Sequence, residues 1–411
     1  MTSTSDYNII AEVAEQRAIS EGVHLNSAPD GRPATILQVL PALMQGGVER
    51  GTVEMAQAIV EAGGRAIVAS SGGPKVHDLT RVGAEHVLLP MESKNPLVMY
   101  ANIWRLVRLI RKEKVDIVHA RSRAPAWSAK AACKRTRAHL LTTFHGTYSA
   151  PNWFKRWYNS VMVSGEQVIV ISRFIAGHVR KSYGIEASRI HVIHRGVDLS
   201  RFNPAKVSAE RVVALANDWR LEDGVPVIML PGRLTRWKGQ TVFIEAIAKL
   251  GRRDIRCLLV GSDQGRSDYK NELEKLISSN GLNKVVRIIE NCNDMATAYM
   301  LTDVVVSAST DPEAFGRVIP EAQALGRPVI ATDHGGARET VIEGETGWLV
   351  PPGDVDALVK ALEYILSLDQ AARKRLSDRA IEHVSRNFSR RSMCDKTIAV
   401  YNQVLGTGAA S

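Results

Sequence analysis

From Ala34 onward, short apolar runs alternate with longer stretches in which apolar residues recur at helical spacing. The runs Thr35 to Leu40, Ala66 to Ala69, Val87 to Leu89, Asp116 to His119, Leu140 to Phe144 and Gln167 to Ile171 have the length and bounding turn residues of buried strands. Between them, Glu49 to Ala62, Leu97 to Lys112 and Pro125 to Lys134 carry the helical period. A break follows near Asp198 to Asp223, where Phe202-Asn203-Pro204 and Glu222-Asp223-Gly224 interrupt the pattern. The alternation then restarts, with strands expected at Val227 to Leu230, Arg256 to Val260, Val286 to Ile289, Val304 to Ser307 and Val329 to Thr332. Helices are expected at Gly239 to Leu250, Asp268 to Ser279, Asp294 to Leu301, Val318 to Leu325, Val355 to Leu366 and Gln370 to Asn387. Repeated strand–helix units imply parallel sheets covered on both faces. The pattern predicts an α/β protein of two Rossmann-like, doubly wound domains facing across a cleft at the C-terminal ends of their strands. Its expected boundaries are an extension over 1–33, domains over 34–198 and 199–390, and a helix and tail over 391–411 with a path back to the first domain.

Composition agrees with that scale. The 411 residues are 45% hydrophobic and 23% charged, which suits two globular domains and excludes disorder, collagen and coiled coil for the chain as a whole. Cys133, Cys257, Cys292 and Cys394 are scattered without C-x-x-C spacing, so neither a disulfide framework nor a thiolate zinc site is expected. No run approaches the ~20 apolar residues that span a bilayer. Asp6, Glu12, Glu15 and Glu21 make the N-terminal stretch acidic where a secretion signal is basic, so a cytoplasmic or peripheral protein is expected.

Charge changes the picture more. The chain holds 53 Lys and Arg against 43 Asp and Glu, but residues 101–190 alone hold 17 basic against 4 acidic residues. Arg105, Arg108, Arg111, Lys112 and Lys114 flank an apolar stripe of Ile103, Leu106, Val107 and Ile110, the pattern of a helix with a cationic face. Trp153-Phe154-Lys155-Arg156-Trp157-Tyr158 interleaves aromatics with cations, as interfacial membrane segments do. Each segment alone equally suits a core-packing helix with a solvated face; together they favour an anionic surface. No nucleic-acid motif accompanies the charge, so nucleic acid is not an expected partner.

Candidate chemistry gathers at expected strand ends. Gly46-Gly47 precede a helix, where a ligand can approach backbone amides; the spacing is not GxGxxG, and Ala69-Ser70-Ser71 offer no acid for a dinucleotide ribose. A hydride-transferring oxidoreductase is therefore not expected. In Pro231-Gly232-Arg233-Leu234-Thr235-Arg236-Trp237-Lys238-Gly239, Arg233 and Lys238 lie in a loop before a helix, a place to hold phosphate oxygens, although a solvated loop would look the same. Asp311-Pro312-Glu313-Ala314-Phe315-Gly316-Arg317-Val318-Ile319-Pro320-Glu321 leaves Glu313 in a loop and Glu321 on the helix that Pro320 helps to start. Two carboxylates on one rim can grip two sets of hydroxyls. Thr332-Asp333-His334-Gly335-Gly336 ends the next strand. Among the 11 histidines, His119 and His178 read as structural, while His145 in Phe144-His145-Gly146 stands at a strand end where open α/β sheets place ligands. Asp354-Val355-Asp356 reads as a helix cap, which leaves no metal site with convincing ligands.

At these residues the chain resembles retaining glycosyltransferases of the GT-B fold, the family-4 group (glycosyl transferases group 1), including those of bacterial lipopolysaccharide core and envelope polysaccharide. The resemblance covers nearly everything from Ala34 on. Glu313 and Glu321 with seven residues between them are its most specific mark, supported by Gly46-Gly47 with Glu49, Phe144-His145-Gly146, Gly196-Val197-Asp198, Gly232-Arg233 with Lys238-Gly239, and Thr346 to Asp354. The resemblance implies that Arg233 and Lys238 bind the diphosphate of a GDP- or UDP-linked sugar and Glu321 the nucleoside ribose. It gives the donor sugar to Glu313, Phe315 and Gly316. His145 would face that sugar from the acceptor-side domain, and Gly47 would border the phosphates and acceptor. It implies no cofactor and no metal, transfer of a hexose such as mannose or glucose to a membrane-associated glycolipid or oligosaccharide, and a place on the inner face of the cell membrane. A nucleotide-sugar epimerase of the same fold, or a non-catalytic glycolipid-binding scaffold, are the alternatives. Two departures from the family pattern are His194-Arg195 before Gly196, and Val260-Gly261-Ser262-Asp263 where a Gly-x-Gly turn is common.

Overall fold

The computed structural model describes residues 23–407 apart from 45, 266 and 291. The first 22 positions, which include the acidic stretch noted above, lie outside the described residues. The chain divides into two compact units: residues 23–196 joined by 390–407, called here the first unit, and 197–389, the second.

The first unit is built on β1 (Thr35–Val39), β2 (Arg65–Ser70), β3 (Glu85–Leu88), β4 (Ile117–Ala120), β5 (His139–Phe144), β6 (Gln167–Val170) and β7 (Ile190–Val192). Every pairing is parallel, in the order β3-β2-β1-β4-β5-β6-β7, and β1 registers Val39 opposite Ala69 on one side and Ala120 on the other. The second unit repeats the plan with β8 (Val227–Pro231), β9 (Arg256–Val260), β10 (Val286–Ile289), β11 (Val304–Ser307), β12 (Val329–Thr332) and β13 (Trp348–Val350), again all parallel, in the order β10-β9-β8-β11-β12-β13. Central strands β1, β4, β8 and β12 are buried along their whole length, because helices cover both faces. That is why the sequence shows them as continuous apolar runs rather than alternating ones.

In both units the strand order reverses at the centre, between β1 and β4 and between β8 and β11. Ligands bind outside the carboxyl ends of strands at such a switch point. The helical expectations are met in kind, including helix Val355–Ser367, whose cap is the Asp354 carboxylate accepting from the Ala357 amide at 2.9 Å. Two three-residue edge strands, β7 and β13, were not expected; at that length no period can show.

The first unit's core joins β1 and helix Gly47–Glu61 to Met393, Ile398, Tyr401 and Val404 of the C-terminal helix Arg390–Thr407. Residues 24–33 run along the same unit: Leu25 is buried in its core, Asn26 donates its amide to Asn402 Oδ1 at 2.8 Å, and Arg32 forks onto Asp116 at 2.9 and 2.7 Å. The second core gathers Ile228, Leu230, Phe243, Leu259, Val306 and Leu362. No described helix is long and apolar enough to cross a membrane.

Candidate active site

In the second unit the special residues converge at the ends of β8, β11 and β12. After β8 the chain turns through a short 3-10 helix, Arg236–Lys238, and Gly239 at φ 73° starts helix Gln240–Leu250. Only glycine takes that conformation without strain, and a side chain there would also strike the Ala308 carbonyl. Lys238 is thereby pressed against the loop after β11, and its Nζ meets Glu313 Oε1 at 2.7 Å while lying 4.5 Å from the Trp237 ring centroid. The pair is largely desolvated, with 12% and 15% of the two side chains exposed. Glu313 Oε1 also accepts from Ser309 Oγ at 2.5 Å. The Ser309 carbonyl in turn accepts from Thr332 Oγ1 and His334 Nε2, each at 2.8 Å, so β12 braces the loop from behind. The Gly336 amide donates to the Glu313 carbonyl at 2.8 Å and the Thr310 amide to the Trp237 carbonyl at 2.7 Å. One ion pair is thus held by three strand ends.

Glu321 lies in the first turn of helix Val318–Ala324, as expected, with its Oε1 3.3 Å from Arg317 Nη2. Tyr299 bonds to the same carboxylate, and burial followed by the Glu321 charge pushes its phenol well above the ordinary value. Arg317 Nε is buried and has no hydrogen-bond partner. Gly316, at φ 76°, turns the backbone between the two carboxylates. Phe315 buries its ring edge-on to Phe388, centroids 5.8 Å apart, so a ligand would meet its backbone rather than its ring. Arg233 is exposed, its carbonyl accepting from Gln240 Nε2 at 2.9 Å. Of the expected donor-site residues, Lys238 and Glu313 are in direct contact, and Glu321 is braced separately by Arg317 and Tyr299.

The first unit places Gly47 at the exposed start of helix Gly47–Glu61 and His145 just past β5. His145 Nε2 is buried without a hydrogen-bond partner. Burial pushes its imidazole well below the ordinary range, and the charges of Arg195 and Arg121 and the neighbouring His119 add to that. His119, expected to be structural, bridges Tyr401 Oη at 2.7 Å and Thr143 Oγ1 at 2.6 Å and is likewise held neutral by burial. Arg121 Nη1 donates to Gln38 Oε1 at 2.5 Å, and Gln38 Nε2 donates to the Thr52 carbonyl at 3.0 Å.

Sequence reasoning missed Ser309, Tyr299, Arg317, Arg121, Gln38 and Tyr401. Ser309 and Arg121 had a usable signal, since each stands one or two positions beyond a strand end. Tyr401 had none, being 282 residues from the histidine it bonds.

Residues 214–383 match the family described as Glycosyl transferases group 1, and residues 45–201 match Glycosyltransferase Family 4. A solved glycosyltransferase from Rickettsia africae is 41% identical, superposes with a TM-score of 0.85, and the alignment covers 91% of this chain and 99% of that one. The chain belongs to the group 1 glycosyltransferase family. Among the curated relatives of this glycosyltransferase-family chain, the D-inositol 3-phosphate glycosyltransferase of Corynebacterium efficiens is 33% identical over 232 residues, 54% of this chain. The chain spans about half the length of that relative, 52%. Anabaena HepE, solved with UDP and glucose, shares the fold at a TM-score of 0.74 and 24% identity, over 92% of this chain and 99% of its own. The two parallel α/β units are those of the GT-B fold.

Proposed function

We propose that this family member transfers a hexose from a nucleotide-diphosphate sugar to a hydroxyl of a membrane-associated glycolipid or oligosaccharide, with retention and without a metal. The observation that carries the reading is the desolvated Lys238–Glu313 pair braced by Ser309 at the strand ends of the second unit. Glu313 offers a charged acceptor to sugar hydroxyls, and Glu321 does the same for ribose hydroxyls. Lys238 and Arg233 supply fixed positive charge where the departing diphosphate gains negative charge, the place where electrostatic stabilisation speeds a reaction most. The anomeric C–O bond to the diphosphate breaks, the acceptor oxygen bonds on the same face, and the hydroxyl proton goes to the departing phosphate.

A thermal-shift panel of UDP-, GDP- and ADP-sugars tests the donor. One of them at ~100 times its dissociation constant should stabilise by about 2.7 kcal/mol. No shift with any of them overturns the reading. The rate should survive EDTA; a loss that Mg²⁺ reverses would assign the diphosphate to a metal instead.

The acceptor side rests on a surface of the first unit. The stripe Leu106, Val107 and Ile110 is buried in the core, so it is not the apolar part of that surface. Leu97, Tyr100 and Trp104 are exposed on the same helix, Pro96–Lys112, and Trp153, Phe154 and Trp157 on helix Trp153–Asn159, with Leu97 and Trp153 each 79% exposed. Helix Arg123–Cys133 joins the two. Its Trp127 stacks on Trp157 with centroids 4.6 Å apart and donates to the Tyr158 carbonyl, and its Ser128 donates to the Met99 carbonyl. Arg105, Arg108 and Arg111 are exposed on the first of these helices, and Lys155 and Arg156 on the second. Aromatics beside cations suit the headgroup region of an anionic bilayer. Anionic vesicles should therefore sediment the protein at low salt and release most of it at high salt. Equal recovery with neutral vesicles would turn this face over to another partner.

A further inference from the structure

One guanidinium in the first unit lies outside the family pattern. Arg195, just past β7, is buried and donates to the carbonyl of Gly47 at the start of helix Gly47–Glu61. One turn along that helix Gly51 is buried too, and a Cβ built there would fall on Arg195, 2.7 Å from Nη1 and closer still to Nη2. The helix therefore carries a notch shaped by the missing side chain, and the guanidinium fills it. Farther along, the Thr52 carbonyl is tied through Gln38 to Arg121. The helix is thus tied at two carbonyls, Gly47 and Thr52, to residues in or just past the strands.

We propose that Arg195, seated in the notch at Gly51, is a positioning residue that fixes the Gly46–Gly47 turn relative to His145. The inference rests on the transfer reading, which gives Gly47 and His145 substrate contacts. A turn whose carbonyl is tied presents its amides in one direction, and preset geometry is worth much of a rate enhancement. The charge of Arg195 is also the foremost one acting on the His145 ring, ahead of those of Arg121 and His119; Tyr148 bonds the His145 backbone and is itself neutral. With Arg195 in place, His145 meets a ligand as neutral imidazole, a hydrogen-bonding group rather than a cation.

Three variants separate these effects. Arg195→Gln removes the charge, Arg195→Lys keeps the charge but not the planar fork, and Gly51→Ala keeps arginine while closing the notch. In Arg195→Gln the His145 ring, followed by NMR, should take up its proton at higher pH than in wild type, because a repelling charge is gone; Arg195→Lys should restore the wild-type titration. Turnover should fall roughly ten- to a hundredfold in Arg195→Gln and Gly51→Ala, the scale that an ångström of misplacement costs, with KM for the nucleotide sugar little changed. An unmoved His145 titration in folded Arg195→Gln together with kcat within twofold of wild type in Gly51→Ala overturns the proposal. Should Arg195→Gln not fold, the kcat of Gly51→Ala and Arg195→Lys decides alone. Titration of UDP and GDP should give wild-type affinity in all three variants. If wild type itself binds neither nucleotide, the transfer reading fails, and the His145 titration still decides whether Arg195 governs that ring.

Discussion

The two units share a topology and differ in how they hold charge. In the second, the charged groups at the strand ends answer one another: Lys238 with Glu313, Arg317 with Glu321, each within 3.3 Å. In the first, the comparable position holds Arg121 and Arg195 buried beside neutral His119 and His145. A paired site can exist folded before its ligand arrives and exchange partners when it does. An assembly of neutral rings and buried cations depends instead on its packing, and above all on the C-terminal helix that supplies Tyr401. Under the transfer reading the paired site binds charge, and the buried assembly holds shape.

The sharpest way to break this contrast is Glu313→Gln, which keeps size and one acceptor oxygen. Turnover should fall about 10- to 150-fold, the equivalent of losing one charged hydrogen bond of ~1.5–3 kcal/mol, with the fold intact by circular dichroism. Near wild-type turnover would remove Glu313 from the site. Tyr401→Phe comes next. It strands one His119 nitrogen in the core and should lower stability by about 1–3 kcal/mol in urea titrations, while nucleotide affinity, which the transfer reading gives to the other unit, stays the same. Loss of both together would show that the units are not separable in this way.

Acid should also tell the units apart. His119 is held neutral well below its ordinary value of 6.5, so the unfolded chain takes up a proton that the folded chain refuses. The contribution is fully present above 6.5 and falls as the pH drops through that value, by about 1.4 kcal/mol per pH unit. Urea midpoints measured from pH 7 to 5 check the slope, which His119→Gln should flatten. The smallest effect belongs to the surface pair His139–Glu166, 2.8 Å apart and partly exposed. The hydrogen bond raises the histidine above 6.5 and lowers the carboxyl below 4.5. The histidine's share is full below 6.5 and lost as pH rises through its raised value. The carboxylate's share is full above 4.5 and lost as pH falls through its lowered one. Glu166→Gln should therefore cost most between about pH 4.5 and 6.5, and less than ~1 kcal/mol even there.

Which parts were legible in the sequence follows from the same physics. Buried parallel strands announce themselves as apolar runs, and the loops after those runs are where Lys238 and Glu313 stand out, with Glu321 on the helix that follows; the donor roles given to them come from the family resemblance. Their bracing was legible only in part: Ser309 stands two positions past a strand end, but Tyr299 is an ordinary residue type until the fold brings it to the Glu321 carboxylate. In the first unit the apolar stripe of Leu106, Val107 and Ile110 proved to be core, and a second apolar set at the same helical spacing, Leu97, Tyr100 and Trp104, is exposed on the helix. Arg195 was visible only as a departure from a family pattern. Its meaning needed Gly51, 144 positions away in the same unit.

The most direct test of the central claim is calorimetric titration of UDP and GDP into the wild-type protein, Lys238→Ala and Arg233→Ala. The account predicts saturable binding of one nucleotide to wild type and, with one charged hydrogen bond lost, a dissociation constant at least about tenfold higher in each variant. Wild-type affinity in both variants, or no binding of either nucleotide to wild type, would contradict it.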